Sequence, residues 1–178
     1  MEEYIHQLKI PRQRIAVLIG KKGETKAMLE GHTNTKINID SEEGDVTISG
    51  TDTIAVYKTS EIIKAIGRGF NPETALQLLK QDCCFDIINI ADFVKRKHHM
   101  QRLKGRVIGS DGRARKNIEE LTETEICVFG KTISIIGEIE KVAIARRAIE
   151  SLLAGSMHST VYRWLEKNKR DMKMRDMA

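Results

Sequence analysis

The sequence predicts an α+β protein built from two copies of one domain and a basic C-terminal helix. The segment Gly20-Lys-Lys-Gly23 returns as Gly109-Ser-Asp-Gly112, a displacement of 89 positions. A Thr-x-Thr-x-Ile segment follows each glycine turn at that same displacement, and alternating and helical runs keep the same order around both. Such ordered self-similarity indicates a repeat. Each copy is predicted to be βααββα, a three-stranded sheet packed by three helices.

The first half of copy one reads as a strand, a helix, the glycine turn and a second helix. Residues 5–10 alternate apolar and polar and end at Pro11, as a strand does before a turn. Residues 13–19 form a short helical run that leads directly into the turn. A second helix is predicted over 24–30, with Gly31 as its stop signal.

The second half of copy one reads as two strands and a long helix. Apolar residues alternate at 37–39 and again at 46–48, joined by the acidic loop 41–45. Thr51 or Asp52 can cap a helix that runs to about residue 68. Its predicted apolar stripe consists of Ile54, Ala55, Ile62 and Ile66.

Copy two repeats this order. A strand is predicted over 85–90, the first helix between 99 and 108, and the last helix over about 140–153. Ser159 or Thr160 is expected to cap a final basic helix of about 161–174. Two interpretations of that helix stay open: a solvated helix that caps the domain, or a surface that contacts RNA or a protein.

A helix-start signal between the two copies indicates the domain boundaries. Asn71-Pro72-Glu73 starts a new helix, with an N-cap and a proline in the first turn. We expect a first domain at 1–68, an inter-domain helix and linker at 69–83, a second domain at 84–155 and the basic helix at 156–178.

Composition excludes several classes of protein. The 30 Lys and Arg against 25 Asp and Glu give a net charge of +5, which suits a polyanionic partner. Phe, Trp and Tyr are too scarce, at 4%, for a platform of stacked aromatics. No apolar run approaches the ~20 residues of a membrane span. Three cysteines and no signal-like start predict a cytoplasmic protein without a disulfide framework.

The glycine turns are the candidate binding sites. A Gly-x-x-Gly turn between two helices lets a backbone approach closely, and the following helix N-terminus favours phosphate. Between 95 and 118 the chain also holds nine Lys or Arg against one acid, Asp111. The run 95–97 has a second interpretation as a solvated helix entry.

The segments around the two turns resemble KH domains of the βααββα type, called type I. KH domains bind single-stranded RNA, and their Gly-x-x-Gly turn clamps about four nucleotides. A narrower resemblance rests on the motifs at 67–76, 104–112, 118–122 and 158–162. They are similar to the archaeal KH-domain rRNA-processing family, whose eukaryotic relatives are pre-rRNA processing factors called partner of NOB.

The resemblance implies a non-catalytic, monomeric assembly factor that holds the 3′ end of small-subunit (16S) rRNA during its maturation. It implies single-stranded RNA, a NOB-type endonuclease and the alpha subunit of initiation factor 2 as partners. The second domain would be the main RNA contact. Its implied RNA-binding residues are Arg106, Ile108, Gly109, Ser110, Asp111, Gly112, Arg113, Arg115, Lys116, Ile126 and Val128. Those of the first domain are Gly20, Lys21, Lys22, Gly23, Lys26, Ile37 and Ile39.

Two departures from the KH pattern concern charge. Lys26 and Arg115 stand where most KH domains have an aliphatic residue, so the groove would be less apolar. Asp111 places a carboxylate in the second turn, where it should repel phosphate. Either the neighbouring arginines offset that charge, or RNA approaches from the Ser110 side.

Other functions find less support in the residues. No nucleotide-binding glycine fingerprint and no catalytic constellation recurs, so neither an enzyme nor a cofactor is expected. The adjacent Cys83 and Cys84 lack the spacing of a zinc site. Two alternatives stay open: a KH scaffold used for protein interaction, and a general RNA binder acting in translation initiation.

Overall fold

The computed structural model describes the chain from Met1 to Ala178, with the side chain of Lys97 outside the described part. The chain divides into two compact units, Met1–Gln81 and Asp82–Ala178. Each unit has a three-stranded sheet and helices, as the repeat predicts. In the described chain, no helix is both long enough and apolar enough to cross a membrane.

Unit 1 holds a sheet of strand order β1-β3-β2 in which both pairings are antiparallel. Its core is formed by fully buried side chains such as Leu18, Leu29, Ile48 and Ile62. Its elements are β1 (Tyr4–Lys9), α1 (Arg12–Ile19), α2 (Glu24–Thr33), β2 (Lys36–Ile39), β3 (Asp45–Gly50), α3 (Thr53–Gly67) and α4 (Pro72–Ala75).

Unit 2 repeats this arrangement with strand order β4-β6-β5, again antiparallel. Its core includes Ile118, Ile133 and Ile149, and also Val161 and Leu165 of the C-terminal helix. Its elements are β4 (Cys83–Asn89), α5 (Met100–Ile108), α6 (Arg113–Thr122), β5 (Glu125–Phe129), β6 (Thr132–Glu138), α7 (Ile139–Leu153) and α8 (His158–Met177).

Two of the predicted helix caps are present. The Asp52 carboxylate accepts from Ile54 N at 2.9 Å and starts α3. The Asn71 amide oxygen accepts from Thr74 N at 2.8 Å and starts α4. The α-helical part of α4 is short, and residues 76–79 continue it as a 3₁₀ turn.

Three local predictions are wrong. Gly31 lies inside α2, which ends at Thr33 and is capped by Asn34 in the left-handed conformation (φ 52°). Ile54 is 66% exposed, so the core stripe of α3 runs through Val56, Ile62 and Ile66 instead. Neither Ser159 nor Thr160 caps α8, which begins at His158 after Met157 with no side-chain cap among the described residues.

Candidate RNA interface

The two glycine turns have the same backbone. Gly109 has φ 75° and ψ 176°, a region that only glycine adopts readily. Asp111 (φ 53°) and Gly112 (φ 73°) then follow in the left-handed region. The values in the first turn are equivalent at Gly20 (φ 75°), Lys22 (φ 54°) and Gly23 (φ 78°). The repeat therefore preserves a shape, although the middle residues differ.

The first glycine of each turn is also required by packing. A Cβ atom at Gly109 would lie 2.7 Å from both the Cβ and the N of Ala114, at the start of α6. A Cβ at Gly20 would overlap the side chain of Thr25 in the same way. A Cβ at Gly112 meets no described atom within 4 Å. The turn and the next helix thus pack closely at one glycine and are open at the other.

Each turn presents polar groups to solvent. Lys21 and Lys22 are exposed in the first turn, and Ser110 and Asp111 in the second. No described side chain caps α6, which follows Gly112 directly. The Arg113 N–H donates to Ser110 O, while the next N–H groups of α6 lack intrahelical acceptors and remain available to a phosphate.

Asp111 occupies a left-handed position that Asn and Asp tolerate better than most residues, so the residue type suits the backbone there. We expect Asp111→Asn to keep the turn and to raise RNA affinity by about threefold to fivefold, because it removes one exposed negative charge that repels phosphate. Fluorescence anisotropy at low salt measures the change, with Asp171→Asn on α8 as a charge-matched control. Unchanged affinity in Asp111→Asn would contradict a repulsive role for this carboxylate.

A carboxylate covers the outer edge of the second strand in both units. Ile126 N donates to Glu119 Oε1 at 2.8 Å, and Ile37 N donates to Glu30 Oε1 at 2.8 Å. β2 and β5 are edge strands, whose outward groups have no partner strand. Neither glutamate was predicted from the sequence. Their shared displacement of 89 positions is the signal that could have found them.

Arg115 joins this contact in unit 2. Its Nη1 donates to Glu119 Oε1 at 3.0 Å and to Ile126 O at 3.3 Å. Burial, followed by the nearby Glu119 carboxylate, raises the pKa of Glu125. At this contact between α6 and β5, two acids therefore lie beside one ion-paired arginine. Lys26, at the equivalent position of unit 1, is half-buried.

The predicted apolar groove residues fall into two groups. Ile37 and Ile126 are 2% and 3% exposed, so their side chains belong to the core and offer nothing to a base. Ile39, Ile108 and Val128 are half-buried and keep some accessible surface. Bases could contact these last three side chains.

Arg106, expected at phosphates or base edges, has structural partners. Its Nε donates to Leu152 O at 2.9 Å and its Nη2 donates to Ser156 O, which tie α5 to the end of α7. In unit 1, Arg14 makes a similar link to Ile66 O and Phe70 O at 2.8 and 2.9 Å, although it lies three residues before the position equivalent to Arg106. This latch role was not foreseen, since it depends on residues about 50 positions away.

Several other cations of the basic segment are accessible. Lys95, Arg96, Arg113 and Lys116 are exposed, whereas the side chain of Lys97 lies outside the described part. Desolvation, then His98 and Arg102, lowers the pKa of His99, so this ring is neutral at pH 7. Lysines and arginines therefore supply the positive charge here.

Comparisons with known proteins agree with this geometry. Residues 84–170 match the eukaryotic-type KH domain (KH-domain type I), and residues 5–65 match the KH domain. KH domain-containing protein MJ0443 of Methanocaldococcus jannaschii is 44% identical over 176 residues, which are 97% of this chain and 77% of that protein. Pre-rRNA-processing protein pno1 of Aspergillus oryzae is 34% identical over 70% of this chain and 49% of its own length.

A solved structure shows the same fold. Dim2p of Pyrococcus horikoshii, in a crystal structure of an a/eIF2alpha–aDim2p–rRNA complex, is 47% identical, with a TM-score of 0.90 over 95% of this chain and 96% of that one. The two matched KH domains, the shared fold and the identity to the M. jannaschii protein lead to one conclusion. The chain belongs to the Pno1-like family of KH-domain RNA-binding proteins, which is related to pre-rRNA processing.

Proposed function

We propose that this protein binds single-stranded rRNA and holds the 3′ end of small-subunit rRNA during its maturation, without catalysing the cleavage. The observation that carries the proposal is the second glycine turn, which is exposed, is followed by an uncapped helix and lies beside exposed cations. Those features suit a sugar–phosphate chain laid across the turn.

The relatives support the choice of RNA. Dim2p of P. horikoshii was crystallised with rRNA, and the A. oryzae relative is a pre-rRNA-processing protein. The groove residues Ile108 and Val128 would contact bases, while Ser110, Arg113 and Lys116 would contact the backbone. In the first domain, Lys21 and Lys22 would add contacts to phosphate.

Partners, place and boundaries form the finer part of the proposal. The alpha subunit of initiation factor 2 is proposed as a partner because the P. horikoshii relative forms a complex with a/eIF2alpha. A NOB-type endonuclease is proposed from the processing role alone. We also propose a cytoplasmic monomer with domains at 1–68 and 84–155, a linker at 69–83 and a C-terminal helix at 156–178.

The test is fluorescence anisotropy with a labelled oligonucleotide of the rRNA 3′ end and a scrambled strand of equal length. We expect a preference for the rRNA strand and at least a tenfold loss of affinity in Ser110→Asp. Smaller losses are expected in Lys21→Asp/Lys22→Asp. Ser41→Asp, in an exposed loop of the first domain, is the matched control. Equal binding of both strands, indifferent to either turn, would overturn the proposal and favour a protein-interaction module.

The affinity should also depend steeply on salt. About four clamped phosphates, each releasing about 0.7 of a counterion, predict a roughly 50-fold loss between 50 and 200 mM salt. Anisotropy titrations at four salt concentrations give the slope, with Ser110→Asp expected to show a shallower one. A complex insensitive to salt would contradict phosphate contacts.

The second candidate is a general RNA binder that acts in translation initiation. The complex of the P. horikoshii relative with a/eIF2alpha favours it. The same experiment separates the two functions, because a general binder would bind the scrambled strand as tightly as the rRNA strand while remaining sensitive to Ser110→Asp.

A further inference from the structure

A recess of about 400 Å³ lies on the side of the second turn that faces α8. Gly109 and Ser110 of the turn form one wall, and His158 and Tyr162 of α8 form another. Asp111 does not line it. The remaining lining residues are Arg102, Gly105, Arg106, Arg113 and Ala114.

The recess is positively charged. None of its lining residues, all of which are described, is acidic, and three are arginines. It shares Arg102 and Arg106 with a second recess of about 520 Å³, to which Lys95 and Arg96 contribute. Together they form a continuous basic path beside α5. At the contact between α6 and β5, by contrast, Arg115 is ion-paired with Glu119 and lies near Glu125.

The recess also has an aromatic wall. The rings of His158 and Tyr162 lie 6.0 Å apart between centroids. His158 Nε2 is 2.7 Å from Arg106 O, and because a carbonyl only accepts, Nε2 carries the proton. The other ring nitrogen, Nδ1, is then the one left for a ligand. Both side chains are half-buried, which limits the rotamer entropy that binding would cost.

The helix that supplies these rings is firmly held. Val161 and Leu165 are 3% and 1% exposed in the core of unit 2. The Arg147 guanidinium lies 5.0 Å from the centroid of the Trp164 ring. Arg175 Nη2 donates to Glu140 Oε2 at 2.7 Å near the far end of α8. The aromatic wall is therefore positioned before any ligand arrives.

The corresponding surface of unit 1, beside the start of α2, lacks this positive charge. Glu24 stands at the position equivalent to Arg113. The concave surface beside the start of α2 is lined by Glu24 and Glu73 and contains no arginine or lysine among its lining residues. The two copies thus share the turn but differ in the sign of the charge beside it.

We propose that the recess between α5, the second turn and α8 is a subsite for one further nucleotide of bound single-stranded RNA. Arg102 and Arg113 contact its phosphate, and His158 and Tyr162 contact its base or ribose. This inference rests on the proposed RNA-binding function. It makes α8 part of the RNA interface and explains why RNA would pass on the Ser110 side of the turn.

The test uses the full chain with a labelled strand of four nucleotides and two labelled strands of six. One of the longer strands carries its two additional nucleotides at the 5′ end, and the other carries them at the 3′ end. The wild type should gain affinity with the extension. Tyr162→Leu and Arg102→Ala should lose that gain, about tenfold for one stacked base, while binding the four-nucleotide strand with a far smaller change. Arg163→Ala, an exposed cation of α8 outside the recess, is the control. Thermal unfolding checks that each variant is folded.

His158→Gln provides a second variant, because its amide can still donate to Arg106 O. The subsite is overturned if the gain from the extension survives in Tyr162→Leu, Arg102→Ala and His158→Gln. The proposed function fails separately if Ser110→Asp leaves both strand lengths unaffected. Equal losses at both lengths in the recess variants would also overturn the subsite, since they would indicate a general electrostatic effect.

Discussion

Gly109→Ala should remove most RNA binding and also destabilise the second domain. Alanine at φ 75° and ψ 176° is strained by about 1–3 kcal/mol. Its Cβ would also approach two atoms of Ala114 to 2.7 Å. The start of α6 must therefore move away from the turn, which displaces the N–H groups proposed to face phosphate. We expect a loss of affinity greater than tenfold in anisotropy and a lower melting temperature.

Two other glycines serve as controls. Gly112→Ala is also left-handed, but its Cβ enters open space, so about 1–2 kcal/mol of backbone cost is expected with a modest loss of affinity. Gly20→Ala should destabilise the first domain through its overlap with Thr25 and leave most RNA binding intact. Wild-type affinity in a folded Gly109→Ala protein would show that the turn does not hold RNA.

Arg106→Met should produce the largest loss of stability among single changes of the basic segment. Methionine keeps much of the apolar stem but loses the hydrogen bonds to Leu152 O and Ser156 O, carbonyls at and just after the end of α7. Hydrogen bonds from a charged donor contribute about 1.5–3 kcal/mol each, and these two are only half-buried, so we expect a loss near the lower end of their sum, roughly 3–4 kcal/mol. Urea unfolding monitored at Trp164 measures it.

The matched control for this latch is Arg102→Met, an exposed cation on the same helix that should alter stability little. Arg106→Lys should recover only part of the loss, since an ammonium lacks the planar fork of the guanidinium. If Arg106→Met kept wild-type stability and lost only RNA affinity, the arginine would be a phosphate ligand rather than a latch.

Patterns local in sequence predicted local structure well. The repeat gave the order of elements, and Asp52 and Asn71 cap their helices because a cap needs only the next three residues. Gly31 did not end α2, which continues through His32 and Thr33. The Thr33 side chain is buried, and its hydroxyl donates to Leu29 O at 2.7 Å. Tertiary packing outweighed the local preference of glycine there.

The candidate site was predictable only in outline. The turn glycines could be recognised in the sequence because the backbone conformation of the turns favours glycine. The latch of Arg106 and the pairing of Arg115 with Glu119 depend on the location of carbonyls and carboxylates in space, which spacing alone does not encode. For the same reason, the sequence could not distinguish Ile126, buried in the core, from the half-buried Val128.

The carboxylates at the strand edges affect which partners the domains can accept. An exposed edge strand commonly recruits a strand from another polypeptide through its outward N–H and C=O groups. In these domains Glu30 and Glu119 already hold the N–H of Ile37 and Ile126, near the start of each edge. An incoming peptide strand would have to displace a carboxylate at that point. Addition of a peptide strand is thus disfavoured at these points of β2 and β5. The neighbouring turns remain open to a ligand without a peptide backbone.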